Sequence, residues 1–179
     1  MRTRQWLLLI NTAMNKITIR KMSATDWDSV AGIYKEGIAT GFATFETTVP
    51  SFETWDKAHM NSCRFVAESS NIILGWVALS PVSNRCVYGG VAEVSVYISK
   101  ASRGKGIGKL LLKHLIDASE QDGIWTLQSG IFPTNHGSIK VHEAVGFRRI
   151  GTRERVGKLN GTWIDNVLFE RRSSLVGVD

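Results

Sequence analysis

Arg103-Gly104-Lys105-Gly106-Ile107-Gly108 has the residue types and spacing of a phosphate cradle. Glycines let a backbone approach a ligand closely and take conformations closed to other residues, so successive N–H groups can converge on phosphate oxygens. The run follows an alternating apolar stretch, Val91 to Ile98, and opens an amphipathic one, Lys109 to Asp122. A helix N-terminus therefore stands behind it and adds a favourable dipole. Spacing separates the kinds of phosphate loop. A Walker-type loop needs G-x-x-x-x-G-K-S/T, but Arg103 stands where the first glycine belongs and Leu110 where the magnesium-binding hydroxyl belongs. A dinucleotide fingerprint G-x-G-x-x-G fits Gly104 and Gly106, yet its third glycine falls on Lys109. The pattern that fits is R-x-x-G-x-G, on Arg103, Gly106 and Gly108. A glycine turn that only joins strand to helix is the plain alternative.

Glu93 is the second chemical feature. It interrupts an otherwise apolar strand, and period-two alternation puts it on one face with Ser95 and Tyr97, opposite Ala92, Val94, Val96 and Ile98. Such a carboxylate is ordinarily a charge on a solvated face. With a cofactor loop five residues beyond Ile98, it becomes a candidate general base. No metal is expected, because His59, His114, His136 and His142 form no recognisable ligand triad and Cys63 and Cys86 lack C-x-x-C spacing.

The elements that must position these residues follow from periodicity. Ile17 to Arg20 reads as a short strand, and Ser23 with Asp26 signals a helix start before Trp27, Val30, Ile33, Tyr34 and Ile38. A segment from Phe42 to Pro50 precedes a second helical stretch, Ser51 to Met60. Phe65–Glu68 and Ile72–Leu79 read as paired strands, Pro81–Gly90 as a loop, and Val91–Ile98 as the strand before the glycine run. In the helix behind that run, Ile107, Leu111, Leu115 and Ala118 face the sheet. Thr126–Ile131 is a strand, Asn135–Val145 a helix capped by Gly146, and Phe147–Val156 with Trp163–Glu170 a hairpin around Asn160-Gly161. The order β, α, α, β, β, β, α, β, α, β, β predicts an α/β fold built on one mixed sheet with helices on both faces.

At 179 residues and 43% hydrophobic, the chain suits a single domain with a substantial core. We expect residues 14–179 to form it. Residues 1–13, in which Arg2 and Arg4 precede five apolar residues ending at Ile10, read as an upstream extension or start artefact. That run is too short for a signal peptide or a membrane span. The net charge of +6 comes from scattered Lys and Arg without interleaved aromatics; an anionic cofactor accounts for it as well as nucleic acid, and an ordinary solvated surface comes ahead of nucleic acid. Two cysteines with no framework spacing point to a reducing cytoplasm.

The R-x-x-G-x-G loop resembles the acetyl-CoA diphosphate loop of the GNAT N-acetyltransferase superfamily. Further motifs, in the right order, resemble its phosphinothricin acetyltransferase branch: Thr44-Phe45-Glu46-Thr47 with Trp55, Glu93-Val94-Ser95-Val96-Tyr97-Ile98-Ser99, Val141-His142-Glu143-Ala144-Val145-Gly146-Phe147, and Gly161-Thr162-Trp163-Ile164-Asp165. The resemblance spans roughly Ile17 to Arg171 and implies the GNAT fold, with a mostly antiparallel sheet. It also implies an acetyl-CoA-dependent N-acetyltransferase for a small amino-acid-like amine, such as methionine sulfoximine, methionine sulfone or phosphinothricin. Other amines, including peptide N-termini, aminoglycosides and polyamines, and a noncatalytic acyl-CoA sensor are the competing readings.

What the resemblance implies for individual residues is specific. Glu93 matches the proposed base. Val96, Tyr97 and Ile98, the loop Arg103, Gly104, Lys105, Gly106, Ile107, Gly108 and Lys109, and Asn135 and Ser138 match cofactor contacts. Asparagine is equally a good helix N-cap, and both roles can hold at Asn135. His142 stands where many superfamily members carry a proton-donating tyrosine, although a helical histidine is more often simply packed or solvated. Phe45, Ser83, Arg85, Glu93, Val94 and Ser95 match the acceptor side. Ser83 occupies a position that often holds a second basic residue, a loss that argues against tight phosphinothricin binding and leaves neutral sulfone or sulfoximine acceptors open, and Phe45 either walls the pocket or anchors its loop. The resemblance implies a homodimer; nucleic-acid and membrane partners are not expected.

Overall fold

The computed structural model describes residues 16–179, so the expected extension over residues 1–13 lies outside the described residues. In chain order the elements are β1 (Thr18–Lys21), α1 (Trp27–Ile38), α2 (Phe52–Ala58), β2 (Phe65–Ser69), β3 (Ile72–Pro81), β4 (Val91–Ile98), α3 (Ile107–Gln121), β5 (Thr126–Ile131), α4 (His136–Glu143), β6 (Arg148–Leu159) and β7 (Thr162–Arg172). This is the order that periodicity predicts. The described strands form one sheet, β1-β2-β3-β4-β5-β7-β6, in which only β4 and β5 run parallel.

The alternation along β4 divides the molecule into two cores. Ala92 and Val94 point to the face covered by α3, where Ile107, Leu111, Leu112 and Leu115 are buried against them, with Ile139 and Val141 of α4 at the margin. Tyr97 points to the opposite face, where Val30, Ile33 and Tyr34 of α1 and Trp55 of α2 meet Trp76 of β3. Burying an apolar face on each side of the sheet is what holds the three layers together.

Local chemistry fixes the ends of these elements. The Asp26 carboxylate accepts from the Ser23 N–H at 2.8 Å and from both terminal nitrogens of Arg20 at 2.7 and 2.8 Å, tying β1 to the start of α1. That pairing holds the Asp26 carboxyl down at about 2. Helix α3 begins at Ile107, two residues ahead of the expected start at Lys109. Gly106, at φ +79°, turns the chain so that Ile107 enters the core as the first helical residue, only 2% exposed.

Strand β6 likewise runs past its expected end at Val156 to Leu159. The cause is a bulge: Arg153 pairs with Asn166 and Gly157 with Ile164, leaving Glu154, Arg155 and Val156 opposite Asp165 alone. Arg155 sits at φ +48°, and its N–H donates to the Asp165 carboxylate at 2.8 Å. Extra residues interrupt the period-two pattern, so the alternation ends at the bulge although the strand does not.

Candidate active site and cofactor cleft

Strands β4 and β5 pair over three rungs only, Val91 with Thr126, Ala92 with Leu127 and Glu93 with Gln128, whereas β3 accompanies β4 as far as Ile98. Beyond Glu93, then, β4 has a strand partner on one side and a gap on the other. The Ser99 N–H donates to the Leu74 carbonyl at 2.9 Å, on the β3 side. Alternation turns the N–H groups of Val96 and Ile98 the other way, into the gap. The Ile98 carbonyl fits this orientation, since it accepts from Arg103 Nε at 3.2 Å.

The glycine loop closes one end of the gap. Gly104 and Gly106 have φ of +76° and +79°, and a Cβ built on either meets no atom within 4 Å. Their missing side chains thus leave open space beside the backbone and avoid no clash. Gly108 differs: a Cβ there would make ordinary packing contacts, 3.5 Å from Val141 and 3.8 Å from Ile98, so it lies where α3, α4 and β4 meet. Lys105 Nζ donates to the Ala101 carbonyl at 2.8 Å, and the Lys100 N–H donates to Glu36 at 2.5 Å, pinning the loop to α1. Lys109 lies exposed on the first turn of α3, whose leading N–H groups have no intrahelical acceptor. An anion cradle and a gap lined by spare backbone donors fit a CoA thioester.

At the other end of β4, Glu93 is exposed, and its carboxylate accepts from Gln128 Nε2 at 3.4 Å. Sequence reasoning missed Gln128. The alternation of β5 assigns it to a face, but only the parallel register puts it opposite Glu93. Five strand steps, roughly 16 Å, separate Glu93 from Ile98 and the loop beyond it. Val94 is buried under α3 and Ser95 is half-buried on the Glu93 face.

Helix α4 presents the remaining cofactor-side candidates. Asn135 is its N-cap, accepting from the Ser138 N–H at 3.1 Å. His142 is 1% exposed, lies edge-on to Phe147 at 5.0 Å, and has Nδ1 2.8 Å from the Ser138 carbonyl oxygen. A carbonyl only accepts, so Nδ1 carries the proton and Nε2, buried without a protein partner, offers a lone pair. Burial lowers the pKa of this ring and holds it neutral. His142 is therefore an acceptor in its resting state, and donation requires it first to gain a proton.

The other acceptor-side candidates lie in two loops. Ser83 accepts from the Arg85 N–H at 3.2 Å, and the Arg85 guanidinium stands 5.7 Å from the Tyr88 ring, all before β4. Phe45, between α1 and α2, sits edge-on to Phe132 at 4.5 Å. Tyr97 packs so closely on α1 that a Cβ on Gly37 would fall 2.6 Å from its ring. It stacks on Trp76 at 4.8 Å and meets Tyr34 at 4.8 Å. Burial raises the pKa of both phenols, keeping them protonated.

Among the described residues no cluster suits a metal ion, and no helix is long and apolar enough to cross a membrane.

The profile of the acetyltransferase (GNAT) domain matches residues 19–168. A phosphinothricin N-acetyltransferase of Alcaligenes faecalis is 33% identical over 162 residues, which are 86% of this chain and 81% of that protein. An L-methionine sulfoximine/L-methionine sulfone acetyltransferase of Salmonella typhimurium is 26% identical over 83% of this chain and 90% of its own length. The crystal structure of a GNAT superfamily phosphinothricin acetyltransferase from Sinorhizobium meliloti, in complex with acetyl-CoA, aligns with a TM-score of 0.83, 30% identity and 91% of each chain covered.

Proposed function

Because this chain belongs to the acetyltransferase (GNAT) domain family, we propose that it transfers the acetyl group of acetyl-CoA to the primary amine of a small amino-acid-like substrate of the methionine sulfoximine, methionine sulfone or phosphinothricin type. The observation that carries this reading is the gap beside β4, which joins an anion cradle at one end to an exposed carboxylate at the other. The names of the two relatives support the acceptor class.

Acetyl-CoA supplies an activated acyl carbon. Backbone amides from Arg103 to Lys109 hold its diphosphate at the head of α3, while Asn135 and Ser138 flank its arm. An amino-acid ammonium has no lone pair, so Glu93 takes a proton from it and frees the nitrogen to attack directly. As negative charge builds on the thioester oxygen, the N–H groups of Val96 and Ile98 donate to it. The attacking nitrogen must shed a second proton and the departing sulfur must gain one. His142 relays it, accepting at Nε2 and passing it on, a role that suits a ring held neutral beforehand. Arg85 faces the acceptor's carboxylate, Ser83 leaves room for a neutral sulfone or sulfoximine, and Phe45 walls the pocket. Two copies of the chain form the working unit, with the partner completing the acceptor side.

A thiol-release assay with acetyl-CoA across methionine sulfoximine, methionine sulfone, phosphinothricin, polyamines and peptides tests the proposal. Turnover with the amino-acid analogues alone is the expected result. Turnover only with peptides or polyamines overturns the acceptor assignment, and no release with any amine leaves a cofactor-binding sensor.

A further inference from the structure

The residues between α1 and α2 straddle the gap. On the β4 side, Ala43 lies beside Tyr97: a Cβ built on Gly37 would stand 2.6 Å from the Tyr97 ring and 3.9 Å from the Ala43 Cβ. On the β5 side, two residues on, Phe45 places its ring 4.5 Å from that of Phe132, which directly follows β5. A third contact comes from the far edge of the sheet. A Cβ built on Gly157 of β6 would lie 2.8 Å from Cε1 and 3.0 Å from Cζ of Phe45, closer than packed atoms approach.

Gly157 is not among the glycines with positive φ, so its backbone conformation is open to any residue. What excludes a side chain there is the ring of Phe45. The bulge held by the Arg155 N–H and the Asp165 carboxylate lies immediately before Gly157 and bends β6 at that point. Bulge and glycine together form a seat for an aromatic ring that arrives from the opposite end of the chain.

We propose that Gly157 is a positioning residue: by leaving room for the Phe45 ring, it fixes the segment over residues 42–48 across the gap and thereby sets which acceptor fits beneath it. The link to the acceptor rests on the function proposed above, whereas the seat itself rests on packing alone. A methyl group at Gly157 pushes the ring off its seat, and trimming the ring restores the room.

The test is a cycle of Gly157→Ala, Phe45→Leu and the double variant, read by amide hydrogen exchange over residues 42–48 and by separate KM values for acceptor and acetyl-CoA. Gly157→Ala is expected to speed exchange in that segment and to raise the acceptor KM about tenfold, with the acetyl-CoA KM within about twofold. In the double variant, exchange and acceptor KM are expected to return to the levels of Phe45→Leu alone. Additive effects of the two substitutions, or unchanged exchange over 42–48 in Gly157→Ala, overturn the inference. Should Gly157→Ala not fold, Phe45→Ala empties the seat without adding volume; unchanged exchange in that variant is equally fatal. The exchange readout requires no turnover, so it separates a failure of the seat from a failure of the proposed acceptor.

Discussion

Glu93 and His142 make opposite demands on their surroundings. As the proposed base, Glu93 would meet an incoming ammonium, and it stands exposed, with a long hydrogen bond from Gln128 at 3.4 Å. Glu93→Gln keeps the shape and removes the base, so turnover should fall by about 10²- to 10⁴-fold. Acetyl-CoA affinity measured by calorimetry should survive, because the glycine loop is at the far end of β4. Near-normal turnover would remove Glu93 from the chemistry. His142 is buried, and desolvation lowers its pKa below the usual 6.5. Under acid conditions the unfolded chain protonates this ring while the folded chain resists, so the unfolded state binds more protons and stability falls as pH drops below 6.5. His59, also lowered chiefly by burial, adds to the effect. Denaturant midpoints at about pH 7.5 and about pH 5.5 should diverge for the wild type and less for His142→Gln, whose amide still donates to the Ser138 carbonyl. An equal loss in both proteins would show that His142 is not the group that titrates.

At the scale of elements, the loop and the head of α3 were legible in the residues because glycine spacing and helical phase are local properties. The two-residue error at the start of α3 has a local cause as well: Gly108 read as loop, whereas it lies inside the helix. Gly106, like Gly104, takes a positive φ that favours glycine. Gly106→Ala meets no neighbour, so its cost is backbone strain, about 1 kcal/mol, together with tilting of the first-turn amides. The protein should fold with a slightly lower Tm, and its Kd for acetyl-CoA should rise roughly tenfold, about the worth of one charge-assisted hydrogen bond. Unaltered affinity in that variant would place the diphosphate elsewhere. The β6 bulge was less legible, since only the register against β7 reveals that three residues face Asp165.

For the whole molecule, the net charge of +6 is a field and not a site. Attraction of an anionic cofactor to a basic surface is screened within about 10 Å at 0.1 M salt. The acetyl-CoA affinity should therefore weaken several-fold between about 0.05 and 0.5 M NaCl, while the KM of a zwitterionic acceptor moves little. Salt-independent binding would mean that the cradle acts through its backbone amides alone. By itself the sequence determined the order of the elements, the face on which Glu93 stands and the glycine loop at the head of α3, because each follows from spacing within a dozen residues. Tertiary structure alone decided the gap beside β4, the pairing of Glu93 with Gln128, the burial that keeps His142 neutral and the seat of Phe45 on Gly157. Each of these brings together residues distant along the chain. Which of them meet depends on strand order and register, and those are set by how the two apolar faces of the sheet are covered.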